Sequence, residues 1–192
     1  MNCAPPGRSA RCPIEVIGLI RTSHTDFEST PLQAALNPGE LGTIELFEPF
    51  VEGLSGLEEF DYLWLLTWLD TSGEPGERAP MKQIPFLLRP QQRSMGIFAA
   101  RGPRRPNPIG LSLVRLLEVT GPRIQFAGVD MVDETPVIDI KPYVTRFDRP
   151  GGHPRCGWFD TVILPEGATP AALNRPISER EPPSPGGRCR AT

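Results

Sequence analysis

The strongest constraint on this chain is the form of its apolar runs. Ile14–Thr22, Thr43–Phe50, Tyr62–Leu69, Met95–Ala100, Ile109–Val119, Arg123–Val132 and Pro136–Val144 are short, β-branched, aliphatic or aromatic, and punctuated by Gly, Pro or Asx. Seven such runs without long helical segments between them predict an all-β fold, a barrel or a sandwich, and disfavour a doubly wound sheet. Brief helices are expected within Gly53–Phe60 and at Thr169–Asn174, where Thr169 and Pro170 suit an N-cap and first turn. At 192 residues and 39% hydrophobic composition the chain fills one core. The expected organisation is a flexible N-terminal arm over 1–12, one folded domain over 13–165, and a Pro-rich tail over 166–192 whose last part, Ile177–Thr192, has almost nothing to bury.

No run of eighteen apolar residues occurs, and the first dozen residues lack the apolar region of a secretory signal, so a cytoplasmic protein away from membranes is expected. Cys3, Cys12, Cys156 and Cys189 are widely spaced with no CxxC, and His24 and His153 lack close ligand spacing. No metal site is expected.

The net charge of −3 conceals a segregation of signs. Between Thr22 and Glu77 stand twelve acids and no Lys or Arg; between Arg78 and Leu117 stand eight bases and no acid. Two solvated faces pairing across the fold would account for this, as would a focused basic surface for a polyanion.

The bases culminate in Arg101–Ser112, RGPRRPNPIGLS. Pro103, Pro106 and Pro108 have fixed φ and no N–H, and they push Gly102, Arg105 and Asn107 toward extended geometry. The result is a stiff arm that cannot sit inside a sheet and that holds arginines out with little entropy left to lose on binding. Arginine's planar fork suits phosphate or carboxylate and stacks on bases. Downstream, DMVDETPVIDIKPY over Asp130–Tyr143 combines a tight turn at Asp133–Pro136 with a strand in which Asp139 and Lys141 share a face and can pair.

Together, GIFAARGPRRPNPIGLS and GVDMVDETPVIDIKPY closely resemble the TsaA-like (YaeB/TrmO) family, whose signature runs G-[VI]-F-A-T-R-S-x-x-R-P-N-P-I-G-[LM]-S and then D-[LV]-x-D-G-T-P-[VIL]-[LVI]-D-I-K-P-Y. GLEEFDYLWLLTWLD and IGLIRTSH extend the likeness, which covers roughly Ile14 to Val144.

The resemblance implies a compact, mostly antiparallel β-barrel with few short helices that forms a homodimer and binds S-adenosylmethionine. It implies methyl transfer to N6 of a threonylcarbamoyl-modified adenosine beside the tRNA anticodon. Carried over by position, the cofactor site comprises Pro31, Leu32, Gln33, Tyr62, Leu63, Arg101, Leu111, Asp133, Glu134, Thr135 and Pro136. Arg93, Arg104 and Arg105 are the expected RNA contacts; Asp133, Asp139 and Asn107, with Glu134 beside them, are the candidate catalytic groups. Departures from the signature are Glu134 for Gly, Arg104 for His, Leu32 for Arg, and AARG for ATRS. If the turn needs φ > 0 at residue 134, the side chain there requires the turn to be rearranged. The alternatives are a non-catalytic S-adenosylmethionine-binding regulatory module and a methyltransferase for a non-RNA substrate.

Overall fold

A computed structural model describes residues 13–69, 79–163, 168, 169 and 171. Its strands are β1 (Gly18–Arg21), β2 (Leu41–Leu46), β3 (Tyr62–Trp68), β4 (Lys82–Gln83), β5 (Met95–Gly96), β6 (Ile109–Thr120), β7 (Arg123–Ala127) and β8 (Pro136–Pro142). Six of them close a barrel in the order β1-β2-β7-β6-β3-β8, with every neighbouring pair antiparallel, and β4 pairs with β5 as a separate ribbon. The expected all-β barrel is therefore present.

Period-two alternation builds the core. Leu63 and Leu65 of β3, Ile20 of β1, Ile44 of β2, Val114 of β6, Ile124 and Phe126 of β7 and Val137 of β8 all turn inward and are fully buried. β3 reads as a continuous apolar run because its outward residues, Tyr62, Trp64, Leu66 and Trp68, are apolar as well. Their neighbours on β6 are Arg115, Leu113, Leu111 and Ile109. The outer wall of β3–β6 is thus an apolar stripe, with Tyr62, Leu111 and Ile109 exposed.

Several expected elements differ: the strands expected over Ile14–Thr22, Thr43–Phe50 and Arg123–Val132 are Gly18–Arg21, Leu41–Leu46 and Arg123–Ala127. Met95–Ala100 is a strand only at Met95–Gly96 and then a 3-10 turn, Ile97–Ala99. There the Arg105 guanidinium donates to the carbonyls of Ile97 and Ala100, and the Trp158 indole donates to that of Ala99. Side chains thus supply donors to carbonyls that a strand would offer to a neighbour. Leu57–Glu59 is likewise a 3-10 turn where a brief helix was expected, and Glu48–Leu54 is a 3-10 segment whose start replaces the end of the strand expected over Thr43–Phe50. The described α-helical turn is α1 (Thr145–Asp148). The arm over 1–12 and most of the 166–192 tail, including the expected helix beyond Ala171, lie outside the described residues. Ala168 is buried and its carbonyl accepts the Leu32 N–H at 2.8 Å.

The antiparallel order fixes which loops meet. One mouth of the barrel collects the C-terminal ends of β1, β3 and β7 and the N-terminal ends of β2, β6 and β8. Segment 22–40, the described ends of 69–108 at residues 69 and 108, and segment 128–135 emerge there. Val129 and Met131 pack into the core cluster from the last of these.

Gly42 of β2 illustrates how tightly the barrel is filled: a Cβ there would stand 2.5 Å from Cζ of Phe126. We expect Gly42→Ala to destabilise the fold by about 1–3 kcal/mol, and Phe126→Leu in the same chain to recover part of that loss. Urea denaturation of both variants checks this; an unchanged midpoint in Gly42→Ala would show that the ring has room to move.

Candidate active site

The turn between β7 and β8 is stitched to β1. The N–H groups of Asp133 and Glu134 donate to the carbonyls of His24 and Ile20 at 2.7 and 2.8 Å, and the Ile20 N–H donates to the Thr135 carbonyl at 2.9 Å. The Asp133 carboxylate accepts the Thr22 N–H at 3.1 Å, and Thr135 Oγ1 donates to the Val132 carbonyl at 2.6 Å. Glu134 itself has φ +63°, the left-handed conformation that glycine adopts freely. The turn is therefore not rearranged; the side chain is carried in a strained backbone. Its carboxylate accepts from Arg21 Nη1 at 3.0 Å, while Arg21 Nε donates to Glu45 at 3.0 Å. Glu45 first and Glu134 second hold the Arg21 guanidinium above its ordinary pKa, and Arg21 in turn holds Glu45 below the usual carboxylate value.

A second stitch comes from Asp130, which sequence reasoning did not nominate. Its Oδ1 accepts from Ser112 Oγ at 2.7 Å and its Oδ2 from the Ala34 N–H at 2.9 Å. One carboxylate thereby joins the residue after Leu111, the residue after Gln33, and the segment leading to the Asp133–Pro136 turn. Desolvation raises its pKa above the ordinary aspartate value, against the opposing pull of the Ser112 and Ala34 bonds and of the Arg101 charge. A lone acid after the apolar FAGV is the only trace of this role in the sequence.

Arg101 is exposed and its Nη2 reaches the Leu111 carbonyl at 3.4 Å. Leu111 is 45% exposed on the outer wall. Leu66 of β3 lies opposite both Leu111 and Asp139 of β8, so these three form a row across the barrel, with Asp139 about 10 Å from Leu111 at the usual strand spacing. Asp139 pairs with Lys141 at 2.6 Å, as their shared face suggested. In the first loop Pro31 is buried, Leu32 and Gln33 are half-buried, and Gln33 Nε2 donates to the Leu32 carbonyl.

The sequence-derived set thus divides. Pro31–Gln33, Arg101, Leu111 and Asp133–Pro136 border one mouth of the barrel. Tyr62 and Leu63 do not: they start β3 at the opposite end. Tyr62 packs edge-on to Tyr143 at 6.4 Å, and Leu63 points into the core. Arg105, an expected RNA contact, donates to the carbonyls of Ile97 and Ala100 at 3.0 and 2.8 Å. Arg93, Arg104 and Asn107 are exposed, and the Asn107 carbonyl accepts the Ile109 N–H. Among the described residues no group of three His, Cys, Asp or Glu could hold a metal, and no helix is long and apolar enough to cross a membrane.

Fold and mouth define a closed antiparallel barrel with polar loop side chains gathered at one end. The chain belongs to the family described as the tRNA-methyltransferase O N-terminal domain, which matches residues 19–149. It is 38% identical over 149 residues to a probable S-adenosyl-L-methionine-binding protein of Pyrococcus abyssi, covering 77% of this chain and 76% of that one. To the tRNA (adenine(37)-N6)-methyltransferase of Escherichia coli it is 38% identical over 136 residues, 68% of this chain and 57% of the relative. A crystal structure of TrmO from Pseudomonas aeruginosa superposes with a TM-score of 0.64 at 35% identity, covering 80% of this chain and 65% of that one. The chain therefore spans only part of the length of the latter two.

Asp130→Ala leaves the Ala34 N–H and Ser112 hydroxyl without their acceptor and is expected to cost about 1–3 kcal/mol of stability. Asp130→Asn should recover part of it, since the amide oxygen can accept from Ala34 while its NH2 donates to Ser112. The folded state binds the Asp130 proton more tightly than the unfolded chain does. This carboxyl therefore lowers stability as pH rises from about 3.9, the ordinary aspartate value, through its raised folded value. Urea midpoints of parent and Asn variant across that range check the sign: the fall belongs to the parent and is absent from Asp130→Asn.

Proposed function

We propose that the protein is an S-adenosylmethionine-dependent methyltransferase that modifies N6 of a threonylcarbamoyl-modified adenosine beside the tRNA anticodon. The observation that carries this reading is the convergence, at one mouth of a barrel of this family, of Arg101, Leu111 and the Asp133–Pro136 turn. The residues fit such a cofactor chemically. Arg101 offers a cation to its carboxylate, Leu111 an apolar surface to its purine, and Asp133 and Glu134 offer negative charge to its cationic end. The turn's own N–H groups at 133–135 are already used within the protein, so its contribution comes from side chains and carbonyls.

When bound, the cofactor supplies a methyl group on a sulfonium: the carbon–sulfur bond breaks as the carbon–nitrogen bond forms, and the amino nitrogen loses a proton. The chain's part is positioning, since in-line placement of nitrogen and methyl is the main demand of such a step. Asp130 holds two of the three loops in register for it. To Asp133 or Asp139 we assign the uptake of the proton, directly or through water. Asp139 stands on the outer wall in the row of Leu111.

The same reading includes a homodimer in the cytoplasm. The apolar outer wall of β3–β6 supports self-association, because a monomer would leave Tyr62, Leu111 and Ile109 in water. The positive φ at Glu134 also bears on the non-catalytic alternative: the turn keeps a glycine-like backbone despite its side chain.

Calorimetric titration with S-adenosylmethionine tests the cofactor. We expect binding by the parent, at least tenfold weaker binding by Arg101→Ala, and little change in Glu134→Gly. Labelled-methyl transfer to tRNA then tests the substrate. Binding without transfer to any tRNA would replace this reading with the regulatory one, and absence of binding would remove the cofactor. Charge reversal at Arg104 should weaken tRNA binding and flatten its salt dependence.

A further inference from the structure

Phe98 is 79% exposed, on a turn that is otherwise anchored from every side. Its neighbour Ile97 is buried at 1% exposure, and the Ile97 N–H donates to the Met81 carbonyl at 2.9 Å. Arg105 takes the carbonyls of Ile97 and Ala100, and Trp158 that of Ala99 at 2.8 Å. A benzyl side chain in water forgoes the stabilisation that burial provides, yet here the surrounding backbone is fixed by two separate side chains so that the ring stays outside. The Arg105 guanidinium carbon lies 5.9 Å from the ring centre, within cation–π reach. Three residues on, Arg101 contacts the Leu111 carbonyl, so the turn that carries the ring leads along the chain into the proposed methyl-transfer site.

We propose that Phe98 is a stacking platform for an unpaired nucleobase of the RNA substrate. The inference rests on the tRNA-methyltransferase reading and adds to it how the loop is held. Single-stranded nucleic acids are recognised by aromatic faces set among cations that meet the backbone. Phe98 with Arg101, Arg104 and Arg105 has that composition. A protein or lipid partner would call for a contiguous apolar patch, whereas this ring has an arginine against it and two more within six residues along the chain. The rigid turn suits the task, because a ring held in place has little freedom left to lose when a base lands on it.

The test uses the full chain and a synthetic anticodon stem-loop carrying the threonylcarbamoyl adenosine, with a second RNA in which one loop base at a time is replaced by an abasic site. Phe98→Ala should weaken binding of the intact RNA about ten- to hundredfold, the span expected for one base–aromatic stack. The slope of log affinity against log salt should stay unchanged, since no phosphate contact is lost. Phe98→Trp should restore affinity, and for one abasic RNA the Phe98→Ala penalty should vanish. Calorimetry should give equal S-adenosylmethionine affinities for parent and variant, and sedimentation equal masses.

An unchanged RNA affinity overturns the proposal, as does a penalty that persists on every abasic RNA. A loss of cofactor affinity in Phe98→Ala would assign the ring to the cofactor's purine instead, and a change of mass would assign it to an interface between copies; either outcome overturns it too. If the parent transfers methyl to the stem-loop and Phe98→Ala binds it equally well, the platform alone fails. If the parent neither binds nor methylates the stem-loop, the tRNA reading falls with it.

Discussion

Closure of the barrel depends on a narrow seam. β1 and β8 pair through only Gly18↔Val137 and Leu19↔Pro136, extended by bonds from the N–H groups of Ile17, Ile20 and Glu134. Those last two bonds belong to the turn that borders the proposed cofactor site. The contacts that complete the barrel wall thus also fix the Asp133–Pro136 turn, and a perturbation of one reaches the other directly. This explains how residue 134 tolerates a side chain at positive φ: the backbone on both sides is already committed to β1, and Arg21 anchors the carboxylate that results. The strain, of order 1–3 kcal/mol for such a conformation, is carried by neighbours that would be in place regardless.

Charge follows the same economy of parts. Arg105 and Arg101, from the basic stretch, spend hydrogen bonds on neutral carbonyls. Their positive charge is accordingly retained near the mouth, with Asp130 below it. Arg21 and Arg123, from outside that stretch, pair with Glu45 of the acidic one. Among the described residues, Glu45 of the acidic stretch thus meets bases from outside the basic one.

The barrel was legible because alternation and turn residues act locally: β3 and β6 match their expected spans within a residue. The arm at Pro103–Pro108 was legible only in part: it stays out of every strand, but it bends at 103 and 105–107, and Arg105 turns back to the Ile97 and Ala100 carbonyls instead of being held out. Met95–Ala100 misled, because its donors arrive from Arg105 and from Trp158, sixty residues downstream of Phe98, and no local pattern reveals them. Asp130 was passed over in favour of Asp133 and Asp139 for a similar reason: its partners Ala34 and Ser112 are remote in sequence and carry no charge. Tyr62 and Leu63 were carried over by position from the family signature, and position in a motif says nothing of which end of a strand faces which loop.

Trp158 reaches Ala99 from a segment that lies after the last barrel strand. All six barrel strands are complete by Pro142, whereas the turn that leads to Arg101 acquires its third carbonyl partner only when residue 158 docks. During synthesis from the N-terminus, wall and mouth are therefore finished at different times. A nascent chain that has just closed its barrel has a scaffold without a finished binding surface, and the indole's arrival marks the transition between the two. With Trp64 and Trp68 of β3 replaced, its fluorescence would report that late event apart from the closing of the wall.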